Sequence, residues 1–471
     1  MSYHIPFEVS DYTYAQAMSA LQATKKFGIQ PLLESVSEML LELKNPDERF
    51  RSVQIAGTNG KTSTSRYTAA FLRGEGLKTA LYTSPELVKY TERMEIDGTL
   101  VTEEAFGHGI AAAVAAGKRV NAARIAVDKR AYDITEFDLL TVAALTIFAE
   151  AGVDVAVLEC GMGGRWDATS AAKNITSVAI TGIGLDHTRI LGNTLEEIAG
   201  EKAAIIQRGR SCVLGVGTAT PVSVEEVFLS RAAEQGVVPT LLRATDVCDV
   251  AGEMQEGMVR HHADLPCATF AITKHPTRLG FPLELTVKTP RATHRDLAAL
   301  KPRYQAANIA LALCLAEDFL DRPLDADKAF DAAIGCPTPG RFQLLRPDPL
   351  VLIDAAHNPQ SVATFLTAIR DVEPNPLHRP KLLTAVLADK DVFGIAELLA
   401  KEFPAVIVTQ TDSARALPAD ELAKIYRDLG ARGEDVFPTV EKAVRALARE
   451  SYVACGTITL AGEVMSSLRG L

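Results

Sequence analysis

A short stretch near the N-terminus, VQIAGTNGKTSTS at residues 53–65, combines two glycines with a lysine and a threonine. Gly57 and Gly60 permit a tight turn and a close approach of the backbone to a phosphate group. The N–H groups of such a loop, and of the helix that it opens, point at an anion. Lys61 would supply positive charge to the β- and γ-phosphates of a nucleotide, and Thr62 a hydroxyl near Mg²⁺.

The spacing within this loop differs from the Walker pattern, in which four residues separate the first glycine from Gly-Lys-Ser/Thr. Here only two residues lie between the glycines. A predicted strand precedes the loop and a predicted amphipathic helix follows it, which is the setting that a phosphate loop requires. The alternative is a glycine turn that caps a helix and carries an exposed lysine. We predict a nucleoside triphosphate site, and its candidate residues in this loop are Gly57, Thr58, Asn59, Gly60, Lys61, Thr62 and Ser63.

Acidic and metal-competent side chains follow two further predicted strands. The strand at 153–159 ends in Glu159 and runs into a glycine-rich loop, and the strand at 177–183 leads to Asp186 and His187. Because ligands bind beyond the carboxyl ends of parallel strands, we expect these side chains to converge on the phosphate loop. A carboxylate and an imidazole can complete the coordination of a Mg²⁺ that bridges ATP phosphates, although histidine is an unusual ligand for this ion. Each residue taken alone has a structural alternative. Glu159 could form a salt bridge at the end of its strand, and His187 could simply occupy a turn.

Apolar β-branched runs alternate with longer helical patterns along most of the chain, which is typical of an α/β architecture with parallel sheets. The predicted strands cover 53–56, 153–159, 177–183, 212–216, 350–354, 382–388, 405–410 and 457–461. The predicted helices cover 61–73, 139–151, 194–207, 303–318 and 360–371. The stretch 240–300 is charged and contains prolines, and it suggests short antiparallel strands instead.

The segment CPTPGR at 336–341 marks the predicted domain boundary. Two prolines and a glycine interrupt the pattern there, before a new βαβ series begins. The predicted fold class is therefore α/β, with a large P-loop-type parallel-sheet ATPase domain over 1–336. A smaller Rossmann-like α/β domain is predicted over 337–471.

The composition limits the classes of function. Of 471 residues, 47% are hydrophobic and 23% charged, as in an ordinary globular protein, and the net charge of -10 argues against a general nucleic-acid-binding surface. Seven cysteines, never spaced C-x-x-C, fit thiols in a reducing compartment better than a disulfide framework or a zinc site. The sequence has no run of 18 apolar residues and no signal-peptide pattern at its start, so we expect a cytosolic protein without a membrane span.

The order of the motifs resembles that of the folylpolyglutamate synthase/dihydrofolate synthase family, within the Mur-ligase-like ATP-dependent amide ligases. The GTNGKT loop is shared with cell-wall Mur ligases, and Thr62 in it replaces a glycine that is common in the folate family. The other segments are more specific in their order. The resemblance covers nearly the whole chain and rests on GTNGKTS (57–63), TSPELVKYTERMEIDG (83–98), TEFDLLT (135–141), LECGMGGRWDATS (158–170), LDHTRILGNTLEEIAGEKAAI (185–205), RYQAANIALAL (303–313), PGRFQ (339–343), IDAAHNPQS (353–361) and ADKD (388–391).

The resemblance implies a set of metal ligands. Ser84, Glu159 and His187 match the residues that bind Mg²⁺ in the family. Lys202 matches a lysine that is found carbamylated there, and addition of CO₂ would turn this cation into an anionic oxygen donor for a second metal ion. Without the resemblance, Lys202 fits a solvated helical lysine beside Glu201.

The resemblance also implies a nucleotide site that spans two domains. Asn308, Arg341 and Asp354 match positions that hold the nucleotide across the interdomain cleft. His357, in the AHNP turn, matches a residue that contacts the nucleotide or its phosphates. The candidate catalytic residues are accordingly Lys61, His187, Lys202 and His357.

The acceptor side rests on three further residues. Arg93 in TER, with Thr135 and Phe137 in TEFD, corresponds to family regions near the pterin and the acceptor carboxylate. The segment 22–30 resembles an N-terminal region that closes over the substrate. Each also has a structural alternative, since Arg93 fits a loop salt bridge and Phe137 a core residue.

The reaction that the resemblance implies couples ATP hydrolysis to amide formation. Phosphoryl transfer to a folate or dihydropteroate carboxylate gives an acyl phosphate, which the amine of L-glutamate attacks. Dihydropteroate glutamylation, polyglutamate extension or both remain open; we favour a bifunctional enzyme, and the family suggests a monomer. One alternative is a cell-wall Mur ligase, for which a UDP-binding domain of about 100 residues would precede the loop, whereas 52 residues precede the predicted strand. The other is a non-catalytic nucleotide-binding protein, which would not need the acid and metal set.

Overall fold

Two separate β-sheets organise the chain, which is described here from a computed structural model. The structure describes residues 3–24, 32–245, 262, 264–432 and 434–469. Most of the segment 22–30, which was expected to close over the substrate, lies outside the described residues. Within the described ranges, no helix is both long enough and apolar enough to cross a lipid bilayer.

The first sheet has 11 strands in the order β11-β10-β9-β8-β7-β6-β1-β5-β2-β3-β4. Its centre, from β2 to β9, is parallel, and both edges are antiparallel. The antiparallel strands predicted within 240–300 are therefore confirmed for β9 to β11, whereas β8 pairs parallel with β9. The strands are β1 Arg51–Ala56, β2 Thr79–Tyr82, β3 Met94–Ile96, β4 Thr99–Leu100, β5 Val155–Glu159, β6 Ile175–Gly182, β7 Ser211–Gly217, β8 Thr240–Ala244, β9 Cys267–Lys274, β10 Leu283–Lys288 and β11 Thr293–Ala299.

Helices cover both faces of this sheet, which explains why its central strands read as continuous apolar runs. One face packs on α3, α9 and α10, and the other on α1, α2, α4, α5, α7 and α8. The helices are α1 Tyr14–Gln22, α2 Glu34–Glu42, α3 Lys61–Gly74, α4 Glu103–Ile125, α5 Glu136–Ala151, α6 Thr188–Leu191, α7 Leu195–Ala203, α8 Val222–Gln235, α9 Tyr304–Leu320 and α10 Ala326–Gly335.

The second sheet has six strands in the order β12-β13-β17-β14-β15-β16. Only β12 is antiparallel, and helices α11 to α13 cover one face while α14 and α15 cover the other, as in a doubly wound fold. The predicted fold class is thus confirmed. The elements are β12 Gln343–Pro347, β13 Leu350–Asp354, α11 Pro359–Val372, β14 Lys381–Thr384, α12 Val392–Leu399, β15 Val406–Val408, α13 Ala419–Asp428, β16 Glu434–Val436, α14 Val440–Ala446, β17 Tyr452–Cys455 and α15 Ile458–Arg469.

One predicted strand of this sheet is wrong and another is predicted too long. The run 457–461 was expected to be a strand, but the strand ends at Cys455 and α15 begins at Ile458. The β-branched residues of this run favour a strand locally, yet Leu460, Ala461 and Val464 bury one face of a helix against the sheet, and packing overrides the local preference. The strand predicted over 382–388 ends at Thr384. The predicted domain boundary at 336/337 falls between α10 and β12 and stays a prediction.

Candidate active site

The loop between β1 and α3 is built around two glycines that no other residue can replace without a clash. Gly60 has a left-handed φ of +87°, and a Cβ there would lie 2.5 Å from Oδ1 of Asn308. A Cβ on Gly57 would lie 1.8 Å from Oγ1 of Thr181. Both glycines are therefore required by the close packing of this loop against β6 and α9, which keeps the loop open on its other side.

Helix α9 holds the start of α3 in place. Nε2 of Gln305 donates to Oγ of Ser63 at 3.0 Å, and Nδ2 of Asn308 donates to Oε1 of Gln305 at 2.8 Å. Oγ1 of Thr64 lies 3.5 Å from Oδ1 of Asn308. Asn308, predicted as a nucleotide-binding residue, thus lies beside the loop and also supports it.

Two lysines share one carbonyl oxygen of the loop. Nζ of Lys61 donates to the carbonyl oxygens of Gly57 and Thr58, both at 3.1 Å, and Nζ of Lys202 donates to that of Gly57 at 2.9 Å. Lys202 is only 4% exposed, so it is not the solvated helical lysine that was the alternative. Burial, together with the like charge of Lys61, lowers the pKa of Lys202 to about 7. Near neutral pH a large fraction of this amine is therefore unprotonated and nucleophilic.

Glu159 lies at the end of β5, directly beside the loop. Its Oε1 accepts a hydrogen bond from Oγ1 of Thr62 at 2.8 Å, and its Oε2 accepts one from the backbone N–H of Ser84 at 3.2 Å. Burial raises the pKa of Glu159, and the nearby Lys61 partly opposes this effect. In the described part of the chain Glu159 has no ion pair within 4.0 Å, so it is not a salt-bridged strand end.

His187 occupies a left-handed turn, with φ of 50°, where the chain enters α6. Its backbone N–H donates to Oδ1 of Asp186 at 2.9 Å, and its Nε2 lies 3.7 Å from Oδ2 of the same residue. Burial lowers the pKa of His187; the charge of Asp186 opposes this shift, whereas Lys61 and Lys390 add to it. At neutral pH the imidazole is accordingly neutral and able to accept a proton or a ligand.

Asp354 organises the wall that the second sheet contributes. Its Oδ2 accepts from the backbone N–H of Phe342 at 2.8 Å and from the hydroxyl of Tyr304 at 3.2 Å, and its Oδ1 accepts from Ala356 N–H at 2.8 Å. Burial raises the pKa of Asp354, and the guanidinium of Arg341 opposes the shift. Asp354 thus fixes the segment that carries Arg341 next to the cleft.

His357 lines the cleft, and its ring is held by a hydrogen bond to the backbone. Its Nδ1 lies 2.9 Å from the carbonyl oxygen of Ala355, and because that oxygen only accepts, Nδ1 carries the proton. Burial lowers the pKa of His357, and the charge of Lys390 contributes. The neutral tautomer therefore leaves Nε2 as an acceptor.

The cleft between the two sheets encloses about 340 Å³. A direct hydrogen bond crosses it, from Nδ2 of Asn59 to Oε1 of Gln360 at 3.0 Å. Gly57, within the loop, and Lys202, which donates to its carbonyl oxygen, are not part of the lining. The predicted residues that line the cleft are Thr58, Asn59, Gly60, Lys61, Thr62, Ser63, Ser84, Glu159, His187, Asn308, Arg341, Asp354 and His357.

Several residues of the cleft were not predicted. Tyr304, Gln305 and Gln360 line it, and Lys390 lies close enough to lower the pKa of both histidines. All four fall inside the segments RYQAAN, AHNPQS and ADKD, which the motif comparison had singled out. Their segments were therefore recognisable, but the individual side chains could be identified only once both walls were in place.

Arg93 lies outside the cleft lining and has a counter-ion. Its Nε donates to Oε2 of Glu86 at 2.5 Å, and its guanidinium lies 4.9 Å from the centre of the Tyr90 ring. The structural alternative for Arg93, a loop salt bridge, is thus observed. Contact of Arg93 with an acceptor stays a prediction.

Thr135 and Phe137 open helix α5. Oγ1 of Thr135 accepts from the backbone N–H of Asp138 at 3.1 Å and caps the helix. The ring of Phe137 stacks on Tyr82, with 5.9 Å between centroids, and its Cζ would lie 2.6 Å from a Cβ on Gly161, which lines the cleft. Phe137 is therefore adjacent to the cleft wall, and the substrate roles of both residues stay predictions.

The donor set at the cleft suits an ion that is bound partly by a nucleotide. Among the residues that the structure describes, no three His, Cys, Asp or Glu side chains are grouped as an all-protein metal centre requires. Mg²⁺ is usually held by one or two carboxylates together with substrate phosphates and waters. The single carboxylate of Glu159, with the hydroxyl of Thr62 beside it, fits that requirement.

Comparison with known proteins assigns both halves of the chain. Residues 55–220 match the Mur ligase middle domain, and residues 340–462 match the Mur ligase glutamate ligase domain. The dihydrofolate synthase/folylpolyglutamate synthase of Mycobacterium tuberculosis is 32% identical over 413 residues, which are 84% of this chain and 77% of that protein. The structure of Mycobacterium tuberculosis folylpolyglutamate synthase complexed with ADP is similar at a TM-score of 0.80 and 28% identity, covering 96% of this chain and 97% of that one.

A longer relative matches as well. The probable bifunctional folylpolyglutamate synthase/dihydropteroate synthase of Haloferax volcanii is 32% identical over 445 residues, which are 94% of this chain. These are 48% of that protein, so the chain spans about half the length of this relative. The similarity to the mycobacterial protein, over most of both chains, decides the family. The chain belongs to the folylpolyglutamate synthase/dihydrofolate synthase family of ATP-dependent ligases.

Proposed function

We propose that this chain uses ATP to join L-glutamate to the carboxylate of dihydropteroate and of reduced folates, giving dihydrofolate and folylpolyglutamates. The observation that carries the proposal is a cleft with a phosphate loop on one wall and Arg341, Asp354 and His357 on the other. The names of its relatives, which combine both activities, support the choice of substrates.

The first step activates the acceptor. A carboxylate resists attack by an amine because its leaving group would be oxide, and transfer of the γ-phosphoryl group replaces this with phosphate. One carboxylate oxygen bonds to phosphorus, the bond to the β-phosphate breaks, and ADP leaves. Positioning and charge neutralisation dominate such a reaction, and Lys61 and Arg341 supply positive charge from the two walls.

A bound Mg²⁺ would be held by Glu159, with Ser84 and His187 as further candidates, and would neutralise phosphate charge. The hydrogen bond from Thr62 orients the Glu159 carboxylate. Such orientation by a neighbouring donor is a usual requirement for a metal-binding carboxylate.

The second step forms the amide. The glutamate amine attacks the acyl carbon, the bond to phosphate breaks, and the nitrogen loses a proton. Nε2 of His357, on the wall that the second sheet contributes, can accept that proton. Lys390 supplies a positive charge that can bind a carboxylate of the substrate. Closure of the cleft protects the acyl phosphate from water.

Lys202 is proposed to be carbamylated. Its Nζ is buried and partly neutral near pH 7, so it can attack CO₂, forming an N–C bond and releasing one proton. The resulting anion would lie beside the phosphate loop, next to the Gly57 carbonyl that the amine now contacts. There it would serve as an oxygen donor to a second metal ion.

The acceptor is proposed to lie near Arg93, Thr135 and Phe137, on the side of the cleft where Phe137 packs behind Gly161. We also propose that the chain works as a cytoplasmic monomer, with its two domains meeting at residues 336/337. The small-molecule partners are ATP, L-glutamate and the folate acceptor.

The test is a ligation assay with the purified chain, ATP, Mg²⁺ and radiolabelled L-glutamate. Dihydropteroate and tetrahydrofolate are offered separately, with a UDP-muramyl peptide acceptor as the alternative. We expect one amide per ADP with at least one folate acceptor and none with the muramyl substrate. Amide formation only with the muramyl substrate, or ADP release without any amide, would overturn the proposal.

A further inference from the structure

The side chain of Leu87 crosses from the first domain into the second. It belongs to the loop that joins β2 to β3, two strands of the first sheet. Leu87 nevertheless packs against the apolar cluster that α14 and α15 form on the second sheet. The neighbouring Val88 also approaches α15, since its Cγ2 would lie 3.3 Å from a Cβ on Gly462. Leu87 and Val88 thus join loop 84–93 to the domain that carries His357.

Two glycines make room for Leu87. A Cβ on Gly340 would lie 2.8 Å from Cδ2 of Leu87, and a Cβ on Gly462 would lie 2.4 Å from the carbonyl oxygen of Leu87. Gly462 lies inside α15, where glycine destabilises a helix by about 1 kcal/mol relative to alanine. Its presence there therefore has a packing reason, and the close approach of Leu87 supplies it.

The loop that carries Leu87 is held as one unit. The carboxylate of Glu92 accepts hydrogen bonds from the backbone N–H groups of Leu87 at 2.7 Å, Val88 at 3.2 Å and Lys89 at 3.1 Å. Because these bonds tie residues 87–89 to Glu92, a displacement of Leu87 should also move Glu92 and the residues between them.

Both ends of this contact reach the cleft. The loop begins at Ser84, whose N–H donates to Glu159 at 3.2 Å. On the other side, Gly340 directly precedes Arg341, which lines the opposite wall. The contact of Leu87 with the second domain therefore links the Glu159 side of the cleft to the Arg341 side.

We propose that Leu87, seated between Gly340 and Gly462, is a positioning residue that aligns loop 84–93 with the nucleotide wall of the second domain for amide ligation. This rests on the proposed function, because alignment matters only if the acceptor and ATP react across the cleft. Misplacement of reacting groups by about 1 Å can lower turnover on the order of 10²-fold.

The experiment compares Leu87→Ala, Leu87→Met and Gly462→Ala in the full chain. We expect Leu87→Ala and Gly462→Ala to lower kcat of ligation about ten-fold or more, with the Kd of ATP within about two-fold of wild type. Leu87→Met should restore kcat, because methionine has a similar volume and adapts to the seat. The matched controls are Ser466→Ala, at an exposed position of α15, and Leu41→Ala, which removes an apolar side chain that is 62% exposed.

A second readout does not depend on activity. Hydrogen exchange of the amides of residues 87–89, which Glu92 holds, should accelerate in Leu87→Ala and Gly462→Ala and stay unchanged in both controls. Unchanged exchange in both variants overturns the proposal even if no folate substrate is ligated by the wild type. Turnover within about two-fold of wild type in both variants, or no rescue by Leu87→Met, overturns it when the wild type is active.

Discussion

The phosphate-loop side of the cleft and the region proposed to receive the acceptor differ in how their charges are compensated. On the phosphate side, Lys61 and Lys202 donate to backbone carbonyls, and Glu159 accepts from a hydroxyl and a backbone N–H. Among the described residues none of these three charges has a counter-ion within 4.0 Å. On the acceptor side, Arg93 is paired with Glu86.

The difference shows which groups are available to a ligand. A buried charge without a counter-ion destabilises a fold unless a ligand supplies the opposite charge. A nucleotide and the proposed Mg²⁺ would supply both signs at the phosphate side. At the proposed acceptor side, Arg93 is already neutralised by Glu86, so substitutions there should affect stability more than chemistry.

The largest expected effect is that of Lys61→Ala, which removes the charge proposed to act on the γ-phosphate. We expect ATP-dependent ligation to fall about 10³-fold, because such donors act most strongly in the transition state. The measurement is the initial rate of glutamate incorporation, with thermal unfolding to verify the fold. The matched control is Lys118→Ala on the exposed surface of α4. Normal turnover in a folded Lys61→Ala protein would show that the unpaired charges beside the phosphate loop are not needed by a ligand.

The next effect is that of Lys202→Met, which keeps the volume and removes the amine. We expect the rate to fall about 100-fold, and the wild-type rate to depend on bicarbonate. A rate-neutral substitution would contradict the carbamate.

Lys202 also predicts a pH dependence of stability. Its pKa is about 7 in the folded chain against 10.5 ordinarily, so the unfolded chain binds more protons between those values. In bicarbonate-free buffer, the free energy of unfolding should therefore rise with pH above about 7, by at most about 1.4 kcal/mol per pH unit. Lys202→Met should remove this contribution, as measured by urea unfolding at several pH values. An unchanged slope would show that the amine is not buried as described.

Thr62→Ala should have a moderate effect. It removes the hydroxyl that donates to Glu159 at 2.8 Å, and a hydrogen bond to a charged group contributes about 1.5 kcal/mol. We expect about a ten-fold lower kcat/KM for ATP, with the Mg²⁺ requirement shifted to higher concentration, and near-normal kinetics for Thr62→Ser. Equal losses in the alanine and serine variants would mean that size, and not the hydroxyl, matters here.

The smallest effect tests the acceptor side. Thr135→Ala removes the cap of α5 and should lower stability by about 1 kcal/mol, while the KM for the folate changes less than about two-fold. Thr102→Ala, which removes the equivalent cap of α4, is the matched control. A raised KM for the folate in Thr135→Ala alone would show that Thr135 contacts the acceptor directly.

Much of the architecture was predictable because it depends on local pattern. The apolar runs of β5, β6 and β13 identify buried parallel strands, and the fold class follows from their alternation with helices. The long helix α4 and the early strand β2 were not predicted. The strand assigned to 457–461 was wrong, because the burial that selects a helix there comes from the neighbouring sheet.

The sequence by itself predicted the phosphate loop and identified the family. Gly57 to Ser63 are contiguous, so their chemistry is visible without a fold, and the ordered motifs reach across both halves of the chain. Only the tertiary structure shows that Lys202 lies buried against Gly57, 145 residues away. It also shows that Leu87 packs against the apolar cluster of the second domain. The physical reason is that burial and close approach belong to pairs of distant segments. The Lys202 amine is desolvated, and Leu87 finds its packing partners, only after those segments have come together.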